Sequence, residues 1–221
     1  MGLNFWPVIA SWQFLLDGLW VTLALSALTV VCSFVLGCAV GLARCYGSAW
    51  LRIPLVFYID SMRAVPVLVV LVWAYFALPI LTGTTLPPFW AALFALSLQL
   101  GAFVAETVRA GVQSVRPGQM RAALALGMST AQAIRTIILP QALIRMLPAL
   151  GSIASIAIKD TAIATVIAVP EYMNRSQTLA GQSFRPVEVF LVAMAVYFII
   201  VFPTTRAIDM VYTRLAPLGR S

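Results

Sequence analysis

The sequence has no histidine, few charged residues (10%) and only three cysteines among its 221 residues. The missing histidine excludes a Ser-His hydrolase and a histidine-ligated metal site. No G-x-x-x-x-G-K-[ST] phosphate loop is present, so the chain does not hydrolyse ATP by that route. Cys32, Cys38 and Cys45 lack metal-ligand spacing. We therefore expect no catalytic residue, no metal site, and a polypeptide that is not an enzyme on its own.

The low charge points to a membrane protein. A soluble domain carries about 25% charged residues, whereas this chain has 62% hydrophobic residues and a mean hydropathy of +0.99. Its net charge of +7 would also suit a nucleic-acid partner. The basic residues, all arginine except Lys159, are scattered and mostly flank apolar segments, as in proteins that follow the positive-inside rule. We therefore expect lipid, and no nucleic acid, around this chain.

Five segments have the length of about 20 apolar residues that a membrane-spanning helix needs. They are residues 19–43, 53–80, 88–106, 146–169 and 187–205. The second contains Pro66, which predicts a kink, and the fourth contains the adjacent charges Lys159 and Asp160. The sequence thus predicts one all-α transmembrane domain over residues 1–221, with five spans.

The distribution of arginine predicts the orientation of these spans. Arginines occur between spans one and two, between spans three and four, and after span five, at positions that include Arg220. The loop 81–87 has no charge, and the loop 170–186 has two arginines and Glu171. Because cytoplasmic loops are rich in Lys and Arg, we expect the N-terminus outside and the C-terminus in the cytoplasm.

The segment 117–140 is the one sizeable stretch outside the spans, and its residues predict two short helices. Pro117 suits a first helical position, and Gly127 suits the left-handed residue that follows a helix end. Ser129 and Gln132 have capping-box spacing, so a second helix is expected to start there and to stop at Pro140. Such a hinged pair is typical of a docking element for a soluble partner. An amphipathic interfacial hairpin without a partner is the alternative.

The spacing within this segment resembles the EAA loop of ABC importer permeases, the loop that docks into the ATPase subunit. Arg121, Ala122 and Ala123 are followed by Gly127, and after nine further residues by Ile137, Ile138, Leu139 and Pro140. The family's usual glutamate before the two alanines is Arg121 in this chain. Because arginine carries the opposite charge, the polar contacts of this loop are expected to differ from those usual in the family. The packing of its helices into a groove of the ATPase is expected to be the same.

Further segments resemble the polar amino acid uptake branch of these permeases, so that the resemblance covers residues 15–215. The segments are 63–66, 106–115, 117–119, 159–161 and 185–190.

The resemblance implies a type I ABC importer permease fold, located in the bacterial inner membrane. It also implies a second permease subunit, identical or different, two ATPase subunits, and a periplasmic or lipid-anchored binding protein that delivers an amino acid. ATP and Mg²⁺ would be bound by the ATPase, with no cofactor in this chain.

Charged residues inside the spans are the candidates for substrate binding, since each costs about 2.5–3.5 kcal/mol at the centre of the bilayer. Lys159 and Asp160 lie near the middle of span four and project about 100° apart on a continuous helix. Pro148 and Gly151, with Thr161 after the pair, suggest a discontinuous helix that lines a cavity. The alternative is that both charges bond to neighbouring helices as structural contacts.

Three further residues are candidates for substrate binding or for lining the pore, and the sequence allows other roles for them: Arg63, Glu106 and Gln99. Arg63 lies ten residues into span two and suits a substrate carboxylate, although a pair with Asp60 one turn earlier is equally consistent. Glu106 suits a substrate ammonium group or a simple pair with Arg109. Gln99 is a weaker pore-lining candidate. We expect Asp160 to meet the ammonium group and Arg63 the carboxylate. Lys159, Thr161 and Glu106 complete the expected set of substrate-binding residues.

Two functions of other classes remain as alternatives. An ion- or proton-coupled secondary transporter or channel subunit would also place charges inside the membrane, but no inverted repeat is visible. A non-transporting assembly subunit is the second. A requirement for ATP and for a separate binding protein distinguishes the importer from both.

Overall fold

The computed structural model describes residues 2–215, and the regular elements in that range are all helical. Arg220, one of the residues used for the orientation, lies outside the described residues. The elements are α1 (Trp6–Ala10), α2 (Trp12–Tyr46), α3 (Ala49–Ala64), α4 (Val67–Val72), a π-helical turn (Trp73–Ala77), α5 (Leu78–Thr82), α6 (Pro88–Ser114), α7 (Pro117–Ala125), α8 (Thr130–Ala133), a second π-helical turn (Ile134–Ile138), α9 (Leu139–Asp160), a 3₁₀-helix (Thr161–Ile167), α10 (Tyr172–Ser183) and α11 (Pro186–Leu215).

Among residues 2–215, four helical stretches are long and apolar enough to cross a membrane, and a bent pair brings the number to five. The bent pair is the second expected span, 53–80. It is broken into Ala49–Ala64 and Val67–Thr82, and the chain bends by 110° between them. Val65 is extended, with φ −88° and ψ 135°, because a residue before proline is disfavoured in the helical region. The expectation of one kinked helix through Pro66 is therefore corrected to two separate helices.

The helix that contains the fourth expected span, 146–169, begins earlier than residue 146. One apolar helical stretch runs from Thr130 to Ile167, so the helix does not stop at Pro140 as we expected. A π-helical turn precedes the proline, and the Leu139 N–H donates to the Ile134 carbonyl five residues back. The wider turn lets the helix continue past a residue that has no N–H, since a π-turn changes the bonding register.

α2 and α6 form the closest helix pair, and two glycines of α2 allow it. A Cβ atom added to Gly41 would lie 2.7 Å from the Ala105 carbonyl oxygen, and one added to Gly37 would overlap Val104. Small residues at membrane helix contacts let the two backbones approach. α6 is consequently the central helix, with α2 on one side and α9 on another.

Glu171 ties the short helix α10 to two spans. Its fully buried carboxylate accepts hydrogen bonds from the backbone N–H groups of Met173 (2.8 Å) and Asn174 (2.6 Å), and from the hydroxyls of Thr22 and Tyr197 (3.3 Å each). Burial raises the pKa of this carboxyl above its ordinary value, and the four donors act in the opposite direction. The two hydrogen bonds from the N–H groups of Met173 and Asn174 also cap the N-terminus of α10. Glu171 therefore fixes this helix against α2 and α11.

Candidate functional site

Asp160 lines a cavity of about 200 Å³ between α6 and α9. Its neighbours in the wall are mostly apolar: Val67, Gln99, Leu100, Phe103, Ile153 and Ile156. The side chain is half-buried at the last residue of α9, where the chain changes to a 3₁₀-helix. The expected discontinuity of this span is therefore present, but it lies at Thr161, and the helix passes through Pro148 and Gly151 without a break.

Within residues 2–215, no arginine or lysine nitrogen lies within 4.0 Å of the Asp160 carboxylate. Lys159 lines a different cavity, of about 320 Å³, with Tyr197, Phe198 and Phe202 of α11. The two adjacent charges thus face different parts of the protein, as their spacing predicted. A half-buried carboxylate in a span without a partner cation is costly, so Asp160 is the strongest candidate for contact with a cationic ligand group.

Thr161 does not line the Asp160 cavity. Its side chain is fully buried, and its hydroxyl donates to the Ile158 carbonyl at 2.8 Å. This bond satisfies a carbonyl at the end of α9, so the structure favours a role for Thr161 in shaping the helix end.

Gln99 stabilises the break in the second span. Its side-chain amide donates to the carbonyls of Val65 (2.7 Å) and Met62 (3.3 Å), which lie at the open end of α3. Broken helices inside a membrane need such partners, because no water is available to the freed carbonyls. Gln99 is therefore a structural residue as well as part of the cavity wall.

Arg63 lies at this same break, one residue before the end of α3. Its guanidinium carbon is 5.7 Å from the centre of the Phe103 ring, a cation–π distance. The Asp60 alternative is not present in this structure, since no Asp60–Arg63 nitrogen–oxygen distance falls within 4.0 Å. Phe103 also lines the Asp160 cavity, whereas Arg63 does not, so Phe103 is the residue that links the two charges expected to meet the substrate.

Glu106 is bound by two arginines. Its carboxylate lies 2.6 Å from Arg44 of α2 and 2.5 Å from Arg109, one turn along α6. The sequence predicted the pair with Arg109 as the alternative to a substrate contact, but it did not predict the pair with Arg44 of α2. Because two guanidinium groups already neutralise this carboxylate, the structure favours a structural ion pair over a contact with a substrate ammonium group.

A second cavity, of about 310 Å³, lies in the groove between α6 and α9, which we call the α6–α9 groove. It is lined by Glu106, Thr107, Ala110, Gly111, Ser114, Arg145, Met146 and Ala149. Several small or polar residues of this face are exposed, among them Ala110, Ser114, Ala149 and Ser152. The exposed face of α11 is different, with Met194, Phe198 and Ile199 each more than 60% exposed. The exposed side chains of the α6–α9 face are therefore smaller and more polar than those of the α11 face, whose large apolar side chains suit lipid tails.

The segment 117–140 forms the expected hinge. Pro117 is the first residue of α7, and Gly127 is left-handed, with φ +81°. The N–H groups of Gly127 and Met128 donate to the carbonyls of Leu124 (3.0 Å) and Ala123 (3.1 Å), which is the bond pair of a Schellman motif. Ser129 and Gln132 then form the expected capping box.

The loop divides its candidate residues between a buried side and an exposed side. Ala123 and Ile138 are buried, and Ile137 and Leu139 are half-buried. Ala122 and Pro140 are exposed. Leu126 is 83% exposed at the hinge, and Arg121 is exposed one helical turn before Ala125. The exposed side therefore combines apolar and positively charged groups.

The sequence matches the family model described as "Binding-protein-dependent transport system inner membrane component" over residues 33–218. The chain belongs to this family. The permease is 37% identical over 213 residues to the glutamine transport system permease protein GlnP of Escherichia coli K12, covering 95% of this chain and 93% of the relative. It is 31% identical over 208 residues to the arginine transport system permease protein ArtQ of Bacillus subtilis, covering 93% and 94%.

Solved structures agree with this family. One, described as an amino acid ABC transporter with histidines, matches 97% of the permease and 100% of its own chain, with a TM-score of 0.90 and 31% identity. An inward-facing form of the MetNI methionine ABC transporter matches with a TM-score of 0.81 at 21% identity, which supports the fold alone. The all-α fold class that the sequence predicted is confirmed.

Two parts of the site were missed from the sequence. Arg44 lies 62 residues before Glu106, and Phe103 carries no charge, so neither had a local signal. The role of Gln99 as a cap depends on the break at Pro66, which the sequence placed only as a kink.

We expect Gln99→Leu to destabilise the permease by about 1–3 kcal/mol, since two carbonyls of α3 lose their donor inside the membrane. Thermal unfolding of the purified protein measures this. Gln182→Leu, at an exposed position of α10, is the matched control and should change the unfolding temperature little. Equal stability of both variants would contradict the capping role.

Proposed function

We propose that this permease is the membrane-spanning subunit of an ATP-driven importer for a polar amino acid in the bacterial inner membrane. The observation that carries the proposal is the Asp160 carboxylate, half-buried in a span and without a protein cation in the described residues. Family membership supports the transporter class, and the relatives named for glutamine and arginine support the substrate class.

The substrate would be held at Phe103, between Asp160 and Arg63. An amino acid zwitterion that leaves water needs both charges met, and these two side chains offer opposite charges beside one ring. Asp160 would accept from the ammonium group and Arg63 would bind the carboxylate. The α6–α9 groove, with its exposed small and polar residues, would continue the path toward the 310 Å³ cavity.

The hinge segment would dock on a separate ATPase subunit that binds ATP and Mg²⁺. Its exposed Leu126 and Leu124 supply apolar contacts, and Arg121, Arg116 and Arg135 surround them with positive charge. No acidic residue occurs between Glu106 and Asp160 in the sequence. The complementary surface on the ATPase should therefore be apolar and acidic.

One set of five spans does not enclose a path, so a second permease subunit, identical or different, would complete it. A binding protein would deliver the amino acid from outside. ATP binding would close the two ATPases, move the hinge segments and shift the paired permeases between outward-open and inward-open populations.

The orientation is tested by single-cysteine labelling in intact cells, in a background without the native cysteines. We expect an impermeant reagent to label cysteines placed at Thr84 and Gln177, and to leave those at Ser48 and Thr130 unlabelled, since arginines accumulate on the cytoplasmic side. Labelling at position 130 together with protection at position 84 would reverse the proposed orientation.

Replacing the left-handed Gly127 by valine should uncouple the ATPase from the permease. A β-branched side chain at this φ costs about 1–2 kcal/mol, which would spoil the helix end that presents Leu126. We expect less co-purified ATPase and little uptake, with normal insertion of the permease.

Gly118→Val is the matched control for Gly127→Val. Gly118 lies in the same segment, a Cβ atom added to it would meet no other atom within 4 Å, and it has no left-handed φ. Uptake and co-purification should stay near wild type in this variant. Wild-type behaviour of Gly127→Val in both assays would remove the docking role of the hinge.

Asp160→Asn tests the pocket. Removing one partner of a desolvated charge pair costs about 2–5 kcal/mol, so substrate occupancy in the reconstituted complex should fall steeply. Substrate binding to the isolated binding protein should not change, because it is a different chain. Direct binding and transport are measured after the subunit stoichiometry has been checked.

Asp17→Asn makes the same chemical change at a carboxylate that is 70% exposed and should leave binding unaltered. An assembled Asp160→Asn complex with unchanged affinity and rate would leave Asp160 as a structural contact. In a complex with two different permeases, the equivalent change must be made in both.

A further inference from the structure

A positively charged cavity lies away from the Asp160 site, where the end of α2, the first turn of α3 and the last part of α6 meet. Its volume is about 320 Å³. The wall contains three arginines, together with neutral residues: Arg44, Arg52, Arg109, Cys45, Tyr46, Val56, Val112 and Gln113. No step of the proposed transport uses this cavity.

The charges around this cavity do not balance. Glu106 is the carboxylate that contacts Arg44 and Arg109, and it neutralises one of the three guanidinium groups. Asp60, the one acidic residue of α3, lies eight residues after Arg52, or about 12 Å along the helix. Asp17 lies near the opposite end of α2. An excess of about two positive charges therefore faces the cavity.

The guanidinium group of Arg52 has hydrogen-bond donors that are available to a ligand. Its Nε donates to the Arg44 carbonyl at 3.4 Å, and in the portion of the chain that is described its two terminal nitrogens donate to no protein acceptor. Arg109 is occupied by Glu106 and Gln113. A guanidinium group with free terminal nitrogens matches the paired oxygens of a phosphate group.

The surroundings of the cavity favour a lipid phosphate over a soluble one. Three large apolar side chains of α3 are mostly exposed near the cavity: Trp50 (88% exposed), Phe57 (75%) and Ile53 (68%). The cavity also lies at the ends of spans, on the side where arginines are concentrated. Basic pockets between membrane helices at the cytoplasmic surface are suited to anionic head groups, and nearby apolar side chains to acyl chains.

We propose that the cavity at Arg44, Arg52 and Arg109 binds the phosphate of an anionic glycerophospholipid from the cytoplasmic leaflet. The phosphate contacts Arg52 and Arg44, and the acyl chains lie along Trp50, Ile53 and Phe57. Arg109 adds positive charge while it holds Glu106.

The test uses the complete transporter, purified with its own partner subunits and stripped of lipid. Phosphatidylglycerol, phosphatidylcholine or inorganic phosphate is then added back, and the binding of each is compared by native mass spectrometry and by equilibrium binding of the labelled compound. We expect phosphatidylglycerol to bind in preference to phosphatidylcholine. Arg52→Gln should weaken that binding about five-fold, which corresponds to the contribution of one arginine near an anionic lipid surface. Arg52→Lys should retain most of it.

Arg214→Gln is the matched control, because it removes the same charge at an exposed position of α11 outside the cavity. Its lipid binding should equal that of the wild type. Equal binding of both lipids, an equal loss in Arg214→Gln, or binding of inorganic phosphate as tight as that of phosphatidylglycerol would each overturn the proposal. The Glu106 pairs do not involve Arg52, so assembly of the Arg52 variants is expected to be normal.

Discussion

Satisfaction of backbone hydrogen bonds inside a membrane is the constraint on which this structure depends. The hydrocarbon core offers no water to a free N–H or C=O group, yet the second and fourth spans, and the helix that leads into the fourth, are irregular. Each irregularity has a local solution. Gln99 bonds to the carbonyls at the Pro66 break, a π-turn carries the helix past Pro140, and Thr161 bonds to the Ile158 carbonyl where α9 ends.

The same constraint positions the candidate substrate site. The break at Pro66 places Arg63 at a helix end beside Phe103, and Asp160 lines the cavity that Phe103 also lines, at the point where the chain changes from α- to 3₁₀-helix. The irregular backbone and the unmatched charge therefore coincide, which is expected where a membrane protein contacts its substrate.

Charge pairing separates structural acidic residues from the functional candidate. Glu106 has two arginine partners, and Glu171 has four hydrogen-bond donors around one buried carboxylate. Both join helices that are distant in sequence. Asp160 has no such partner in the described residues, although its neighbour Lys159 is adjacent in the chain, because successive helical side chains point in different directions.

The sequence by itself determined the membrane class, the approximate spans, and the hinge of segment 117–140, because composition, proline, glycine and capping spacings act within a few residues. It predicted Pro117, Gly127 and the Ser129–Gln132 box correctly. It was wrong at Pro140, where a π-turn replaced a helix end. Only the tertiary structure decided which charges are paired, since Arg44 meets Glu106 across 62 residues, and contacts of that range depend on how helices pack.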